Sequence, residues 1–371
     1  MKFEKLLITC GGTGGHFYPG LAIAKAMQKR GGQVKLLLAG VHASDQAKIA
    51  LDQGVESVVL PVVPVPKKSP VRFLFGLAGG FFLCRREIKS FRPQALLGMG
   101  SFTSLPAILA AKSRRVPLYL HDGNAKVGRA NRMLSRFARF LAGAFPVVNP
   151  GGIRCPVFVT GMPVRQTLIN AARDLEKPAA VAELNKLYGT DLDPALPTVL
   201  IFGGSQGAAV FNAALPEGLL QLDRTDIQVL HLTGANKLES TLDSYKDAPF
   251  KRLVIEKTER MELFLGASDI VFSRSGGSTV AELTLFGRPA VLIPFPFAAE
   301  DHQRANAEYL AGADAGVVLD NYDLSPDRSR DLLADFLADR ELWKKRGGNA
   351  KALARPAAAD DLLEKIAGDL A

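Results

Sequence analysis

Glycines beside a lone histidine are the first residues in this chain with evident chemistry. In "ITCGGTGGHFYPG", residues 8–20, five glycines lie between an apolar strand and an apolar helix, with His16 at their edge. A strand end, a glycine turn and a helix N-terminus together present unpaired backbone N–H groups and a positive partial charge to an anion. The loop lacks the Lys-Ser/Thr pair of a nucleotide-hydrolysing loop. It also lacks the G-x-G-x-x-G spacing and the acid that a nicotinamide dinucleotide requires. Taken alone, it serves equally as a turn that lets strand and helix pack closely. His16 alone is either a hydrogen-bonded bystander or a neutral general base, whose pKa a helix start would depress.

The second half offers a more specific set. "GGSQGA", residues 203–208, supplies glycines for close approach and the Ser205 hydroxyl. "RSGGSTVAEL", residues 274–283, is another glycine-serine loop entering a helix that carries Glu282, an acid placed to accept both hydroxyls of a ribose. "PFPFAAEDHQRANA" brings Asp301, His302, Gln303 and Asn306 just past an apolar strand, where amides and imidazole can meet sugar hydroxyls. Singly, Glu282 reads as a solvated helix acid, and His302 and Gln303 as loop caps. Jointly, all three clusters fall at carboxyl ends of strands, where α/β sheets bind ligands.

The elements that must carry these loops alternate, apolar strand with amphipathic helix, which predicts parallel sheets covered on both faces. At 371 residues two domains are expected. The plan begun by "KLLITCGG" restarts at "PTVLIFGGSQGA", and "KPAAVAELNKLYGTDLDPALP" before it reads as a surface excursion. The predicted division is an N-terminal Rossmann-like domain over 1–164, a second over 165–349, and a final helix, about 350–371, that docks on one of them. Three unrelated cysteines make neither a disulfide framework nor a metal site, so a reducing cytoplasm is expected, with no secretory signal.

The net charge of +9 is local. Residues 65–139 hold fifteen Lys/Arg against Glu87 and Asp122, a net +13 that leaves −4 for the rest. Within that stretch an apolar run of twelve residues, Phe73 to Cys84, is too short to span a bilayer. It reads either as a core helix or as an interfacial segment. In the second case Phe73, Phe75, Phe81 and Phe82 enter lipid while Lys67, Lys68, Arg85 and Arg86 meet anionic headgroups. Nucleic acid is disfavoured, because the cations interleave with a bulky apolar face and no nucleic-acid motif is present.

In order, "GGTGGH", "GMGSF", "HDGN", "GMPVR", "GGSQGA", "RSGGSTVAE" and "DHQRANA" run nearly end to end. With these seven motifs the chain resembles the MurG family of bacterial glycosyltransferases. The resemblance implies a GT-B fold, two Rossmann-like doubly wound parallel-sheet domains with the active site between them and a last helix returning to the first. It implies transfer of N-acetylglucosamine from UDP-N-acetylglucosamine (UDP-GlcNAc) to the muramyl 4-hydroxyl of undecaprenyl-diphosphate-linked muramyl-pentapeptide (lipid I), giving lipid II for peptidoglycan. The donor would meet Glu282 at its ribose and Ser205, Gln206 and Gly207 at its phosphates, with Ser278 and Thr279 also among its contacts. Arg165 would add a cation there, Thr258 would lie near the uracil, and His302, Gln303 and Asn124 would contact the sugar. On the first domain Gly12, Thr13, Gly14, Gly15, Gly100, Ser101 and Phe102 would cradle the acceptor diphosphate, with Thr13 to Gly15 also reaching the donor.

The same resemblance implies a peripheral protein on the cytoplasmic face of the inner membrane, with an anionic lipid surface and other cell-wall synthesis proteins as partners. Three places depart from the family pattern: Asp122 for a glutamate, Met162 for an asparagine and Ser101 for a glycine. Inversion in one displacement needs a base near the attacking hydroxyl and positive charge on the departing UDP. His16 is expected as the base and Arg165 as part of the charge, with no cofactor and no metal. Two rivals stay open: another GT-B glycolipid transferase with a different donor, and a non-catalytic nucleotide-binding protein.

Overall fold

The computed structural model describes residues 3–12, 14–62, 70–204 and 207–371. Thr13, Lys67, Lys68, Ser205 and Gln206 therefore lie outside the described residues. The chain divides into two units, one formed by 1–165 with 355–371 and the other by 166–354.

The first unit holds seven parallel strands: β1 (Lys5–Gly11), β2 (Gln33–Ala39), β3 (Glu56–Val59), β4 (Ala95–Gly98), β5 (Leu118–Asp122), β6 (Leu141–Gly143) and β7 (Val157–Val159). Their order is β3-β2-β1-β4-β5-β6-β7. Five helices of this unit matter below: α1 (Gly14–Lys29), α2 (Ala43–Asp52), α3 (Pro70–Phe91), α4 (Leu105–Ser113) and α5 (Arg129–Leu134). The central strands are apolar throughout, with Leu6, Leu7, Ile8, Leu36, Leu37 and Leu97 fully buried, as a sheet covered on both faces requires.

The helix Ala358–Leu370 belongs to this unit although the whole second unit, residues 166–354, lies between Arg165 and Arg355. Its Leu362, Leu363 and Ile366 join the cluster of Leu6, Ile8, Phe17 and Ile23. Polar ties hold the same helix: Tyr119 donates to Asp369 at 2.7 Å, and Arg30 meets Asp360 and Glu364.

In the second unit, β8 (Thr198–Phe202), β9 (Gln228–Leu232), β10 (Lys251–Ile255), β11 (Ile270–Ser273), β12 (Ala290–Leu292) and β13 (Gly316–Val318) form a parallel sheet ordered β10-β9-β8-β11-β12-β13. The stretch expected as a surface excursion contains a helix, Lys177–Tyr188, that buries Ala180, Val181 and Leu184. Gly189 at φ 66° ends it in a left-handed turn, the usual role of glycine there.

Beneath the second sheet's carboxyl edge lies a buried polar chain. His231 pairs through Nδ1 with the Tyr245 hydroxyl and through Nε2 with Oδ1 of Asn212, both at 3.0 Å, and Nδ2 of Asn212 donates to the Thr233 carbonyl at 3.1 Å. Burial pushes the His231 pKa down to about 3, so the folded chain refuses a proton that the unfolded chain binds near 6.5. The stability held at this site is complete above pH 6.5 and drains away as pH falls toward 3. Chemical denaturation between pH 7 and 4 should show a steeper loss of stability in the wild-type chain than in His231→Gln.

Candidate functional site

In each sheet the strand order reverses at one point, between β1 and β4 in the first and between β8 and β11 in the second. Open α/β sheets bind ligands outside the carboxyl ends of the strands at such a reversal. The four glycine-rich loops, after β1, β4, β8 and β11, fall there.

In the second unit the loop at 203–208 follows β8. A Cβ on Gly203 would lie 2.3 Å from the Ala208 nitrogen, and one on Gly207 2.1 Å from the Thr233 carbonyl oxygen, so only glycine allows this fold of the backbone. The loop after β11 opens the helix Gly277–Phe286, whose first turn carries Ser278 and Thr279 and whose second carries half-buried Glu282. The turn after β12 leads into the helix His302–Ala311 through Glu300 and Asp301, both left-handed at φ 59° and 55°. Non-glycine residues seldom adopt that conformation, and where they do they cluster at binding sites.

Gln303 accepts the Phe295 N–H through Oε1 at 2.9 Å, and the Ser275 hydroxyl donates to the Gln303 carbonyl at 2.7 Å. His302 bonds through Nδ1 to the Ala299 carbonyl at 2.7 Å. Asn306 is fully buried and donates to the Ser275 carbonyl at 2.9 Å, so it builds the loop and cannot also face a sugar. Thr258 caps its own turn by accepting from the Arg260 N–H at 3.0 Å.

One organising residue of this unit opens a quoted motif, but its role could not be read from the sequence. Arg274 donates to the Ile293 and Pro294 carbonyls at 3.0 and 3.1 Å and lies between the rings of Phe211 and Phe295. Burial lowers its pKa to about 10, which leaves it charged at neutral pH. It ties the loop after β11 to the turn after β12, through partners some twenty residues away.

In the first unit α1 begins at Gly14, within the glycine run itself, so His16 sits in its first turn and Pro19 in its second. The loop after β4 passes directly under that histidine. A Cβ on Gly100 (φ 95°) would lie 3.2 Å from Cδ2 and 3.3 Å from Nε2 of His16. Near the end of β5, the His121 ring bonds through Nε2 to the Gly161 carbonyl at 3.1 Å, and burial lowers its pKa. Arg165 stacks over the Tyr18 ring at 5.0 Å, which places its guanidinium near the start of α1.

The departures from the family pattern acquire physical context. Met162 is buried, and a Cβ on Gly123 would come within 2.7 Å of its Cε, so the large side chain at 162 occupies space that glycine at 123 leaves open. Ser101 has φ 73° and ψ 146°, a region almost reserved for glycine, and its hydroxyl accepts from Thr103 Oγ1 at 3.1 Å.

The apolar-basic segment is a two-faced helix. On one face of α3, Cys84 and Ile88 are buried with Phe81 against the sheet, while Leu74, Phe75 and Phe82 are 61%, 76% and 67% exposed. Phe73 and Arg85 are half-buried and Arg86 is exposed. No helix among the described residues is long and apolar enough to cross a membrane. In the same unit, Arg129, Arg132, Arg136 and Arg154 line an open hollow of about 280 Å³ with Met133 and Gly152.

Two doubly wound parallel sheets with glycine loops at both reversals form the GT-B architecture, and matches to both domains of a glycosyltransferase family make the chain a glycosyltransferase. The N-terminal domain of glycosyltransferase family 28 matches residues 6–142, and its C-terminal domain matches residues 198–362. A UDP-N-acetylglucosamine–N-acetylmuramyl-(pentapeptide) pyrophosphoryl-undecaprenol N-acetylglucosamine transferase of Saccharophagus degradans is 34% identical over 99% of this chain and 92% of its own. Its namesake from Desulforamulus reducens is 32% identical over 98% of both. Among solved structures, MurG of Acinetobacter baumannii superimposes with a TM-score of 0.77 at 28% identity, covering 98% of this chain and 99% of its own. A UDP-GlcNAc 2-epimerase from Neisseria meningitidis, at 14% identity over 97% of this chain and 99% of its own and a TM-score of 0.71, shares the fold alone. The chain belongs to the MurG family of glycosyltransferases.

Replacing Ser101 by glycine should raise the unfolding free energy by about 1 kcal/mol, as relief of backbone strain outweighs the added chain entropy. Urea denaturation at neutral pH measures it.

Proposed function

We propose that the protein transfers N-acetylglucosamine from UDP-N-acetylglucosamine to the 4-hydroxyl of undecaprenyl-diphosphate-linked N-acetylmuramyl-pentapeptide, with inversion at the anomeric carbon. The observation that carries this is the convergence of three loops on neighbouring strands β8, β11 and β12, in a chain that matches transferases of that name along its whole length. The donor binds the second unit. Glu282 accepts the ribose hydroxyls. The backbone at 203–208, with Ser205 and Gln206, and the first turn at Ser278 and Thr279 hold the diphosphate at helix N-termini, where partial positive charge favours it. Gln303, its carbonyl oxygen committed to Phe295, turns its amide N–H groups to the sugar hydroxyls, with His302 beside it. Thr258 borders the uracil.

The first unit takes the acceptor. Its diphosphate rests on Gly12, Thr13, Gly14, Gly100, Ser101 and Phe102, at the reversal between β1 and β4, and Asn124 contacts the transferred sugar. His16, against Gly100, removes the proton from the attacking hydroxyl as the bond to UDP breaks. Arg165 and the helix N-termini stabilise the charge that develops on the leaving diphosphate. The exposed Leu74, Phe75 and Phe82 of α3, with Lys67, Lys68, Arg85, Arg86 and the arginine-lined hollow, fit an anionic bilayer at which the lipid-linked acceptor resides.

Purified protein in detergent should move labelled sugar from UDP-N-acetylglucosamine to a short-chain lipid-linked muramyl-pentapeptide, and absence of product defeats the proposal. His16→Ala should lower kcat by about 10²–10⁴-fold while the Kd for UDP stays unchanged. Reversing the charges of Lys67, Lys68, Arg85 and Arg86 should release the protein from anionic liposomes at physiological salt. Unchanged co-sedimentation would leave α3 as a core helix only.

A further inference from the structure

Asp122, at the end of β5, directs its carboxylate at its own chain. Oδ1 accepts from the backbone N–H and the side-chain amide of Asn124 at 3.1 and 3.4 Å, the first an Asx turn that the shorter arm favours. Oδ2 accepts from the Gly128 N–H and from Nδ2 of Asn131, both at 3.0 Å. Asp122 is only 5% exposed, and with four donors filling it the carboxylate has no face left for a substrate.

Asn131 extends this arrangement. Its Nδ2 also donates to the His121 carbonyl at 2.9 Å, so both amide protons are committed and the side-chain plane is set. The residue is 1% exposed, and its Oδ1 has no hydrogen-bond partner among the described residues. A Cβ on Gly100 would lie 3.4 Å from Asn131 Nδ2 and 3.3 Å from His16 Nε2, so the amide and the imidazole both border the space that this one glycine leaves open.

We propose that Asp122 and Asn131 are positioning residues for the transfer. The carboxylate locks the turn that presents Asn124, and through the Asn131 amide it sets the wall beside the His16 imidazole. Neither residue touches sugar or takes the proton. The assignment rests on the transfer reaction proposed above for its kinetic consequence, but its structural consequence can be read without any substrate.

The test uses the full chain labelled with ¹⁵N-histidine, in wild-type form and as Asp122→Ala, Asn131→Ala and Asn131→Ser. The His16 ring resonances, assigned by their loss in His16→Ala, should shift in both Asn131 variants while cooperative thermal unfolding persists. Turnover should fall by about 10²-fold in Asp122→Ala and Asn131→Ala, as small misplacements of reacting groups do, with UDP affinity within about twofold of wild type. Asn131→Ser carries the same measurements if the alanine variant fails to fold. Unmoved His16 resonances in a folded Asn131 variant, or near-normal turnover in both Asp122→Ala and Asn131→Ala, overturns the assignment. A wild-type chain that transfers no sugar defeats the transfer reaction instead and leaves the resonance shift to decide the positioning of His16.

Discussion

The missing side chain at a few backbone contacts governs how both units present their loops. A Cβ on Gly11 would sit 2.4 Å from the Ala39 carbonyl oxygen at the end of β2, and one on Gly207 2.1 Å from the Thr233 carbonyl oxygen just past β9. In each unit the loop after the first strand is thereby pressed onto the neighbouring strand on one side. The other side, toward β4 or β11, is the point where strand order reverses. The first turn of the following helix then has to face that crevice, and its unpaired N–H groups come with it. Any larger residue at either glycine would push the loop off its neighbour and turn the helix start away.

Around these loops, buried polar side chains perform the fixing that glycine cannot. Arg274 bridges two loops of the second unit, Asn212 braces the strand end against which Gly207 packs, and Asp122 gathers the turn after β5. Each replaces water lost from a buried group with several protein partners, as burial of polar atoms demands. Each also sits within a few residues of a group assigned to substrate. Rigid scaffolding next to a glycine loop is what allows backbone N–H groups to stay aimed at a phosphate.

Much of this was legible in the residues themselves. Parallel strands read as unbroken apolar runs, such as "KLLITCG", and glycine clusters mark their carboxyl ends. Local readings failed where the deciding contact was remote. Asn306 looked like a sugar ligand, yet its partner is the Ser275 carbonyl thirty-one residues earlier. Arg274 and Asn131 were invisible for the same reason. The aromatic run of α3 admitted two readings, and its two faces satisfy both packing and exposure.

The helix Ala358–Leu370 has a temporal consequence. Its Leu362, Leu363 and Ile366 complete the same apolar cluster as Leu6 and Ile8, at the opposite end of the chain. On a ribosome, which makes about 5–20 residues each second, the second unit is entirely synthesised before that cluster can close. The first unit therefore waits, with part of its sheet surface uncovered, for many seconds after its own strands have emerged. The chain's first-made unit is the last to be finished.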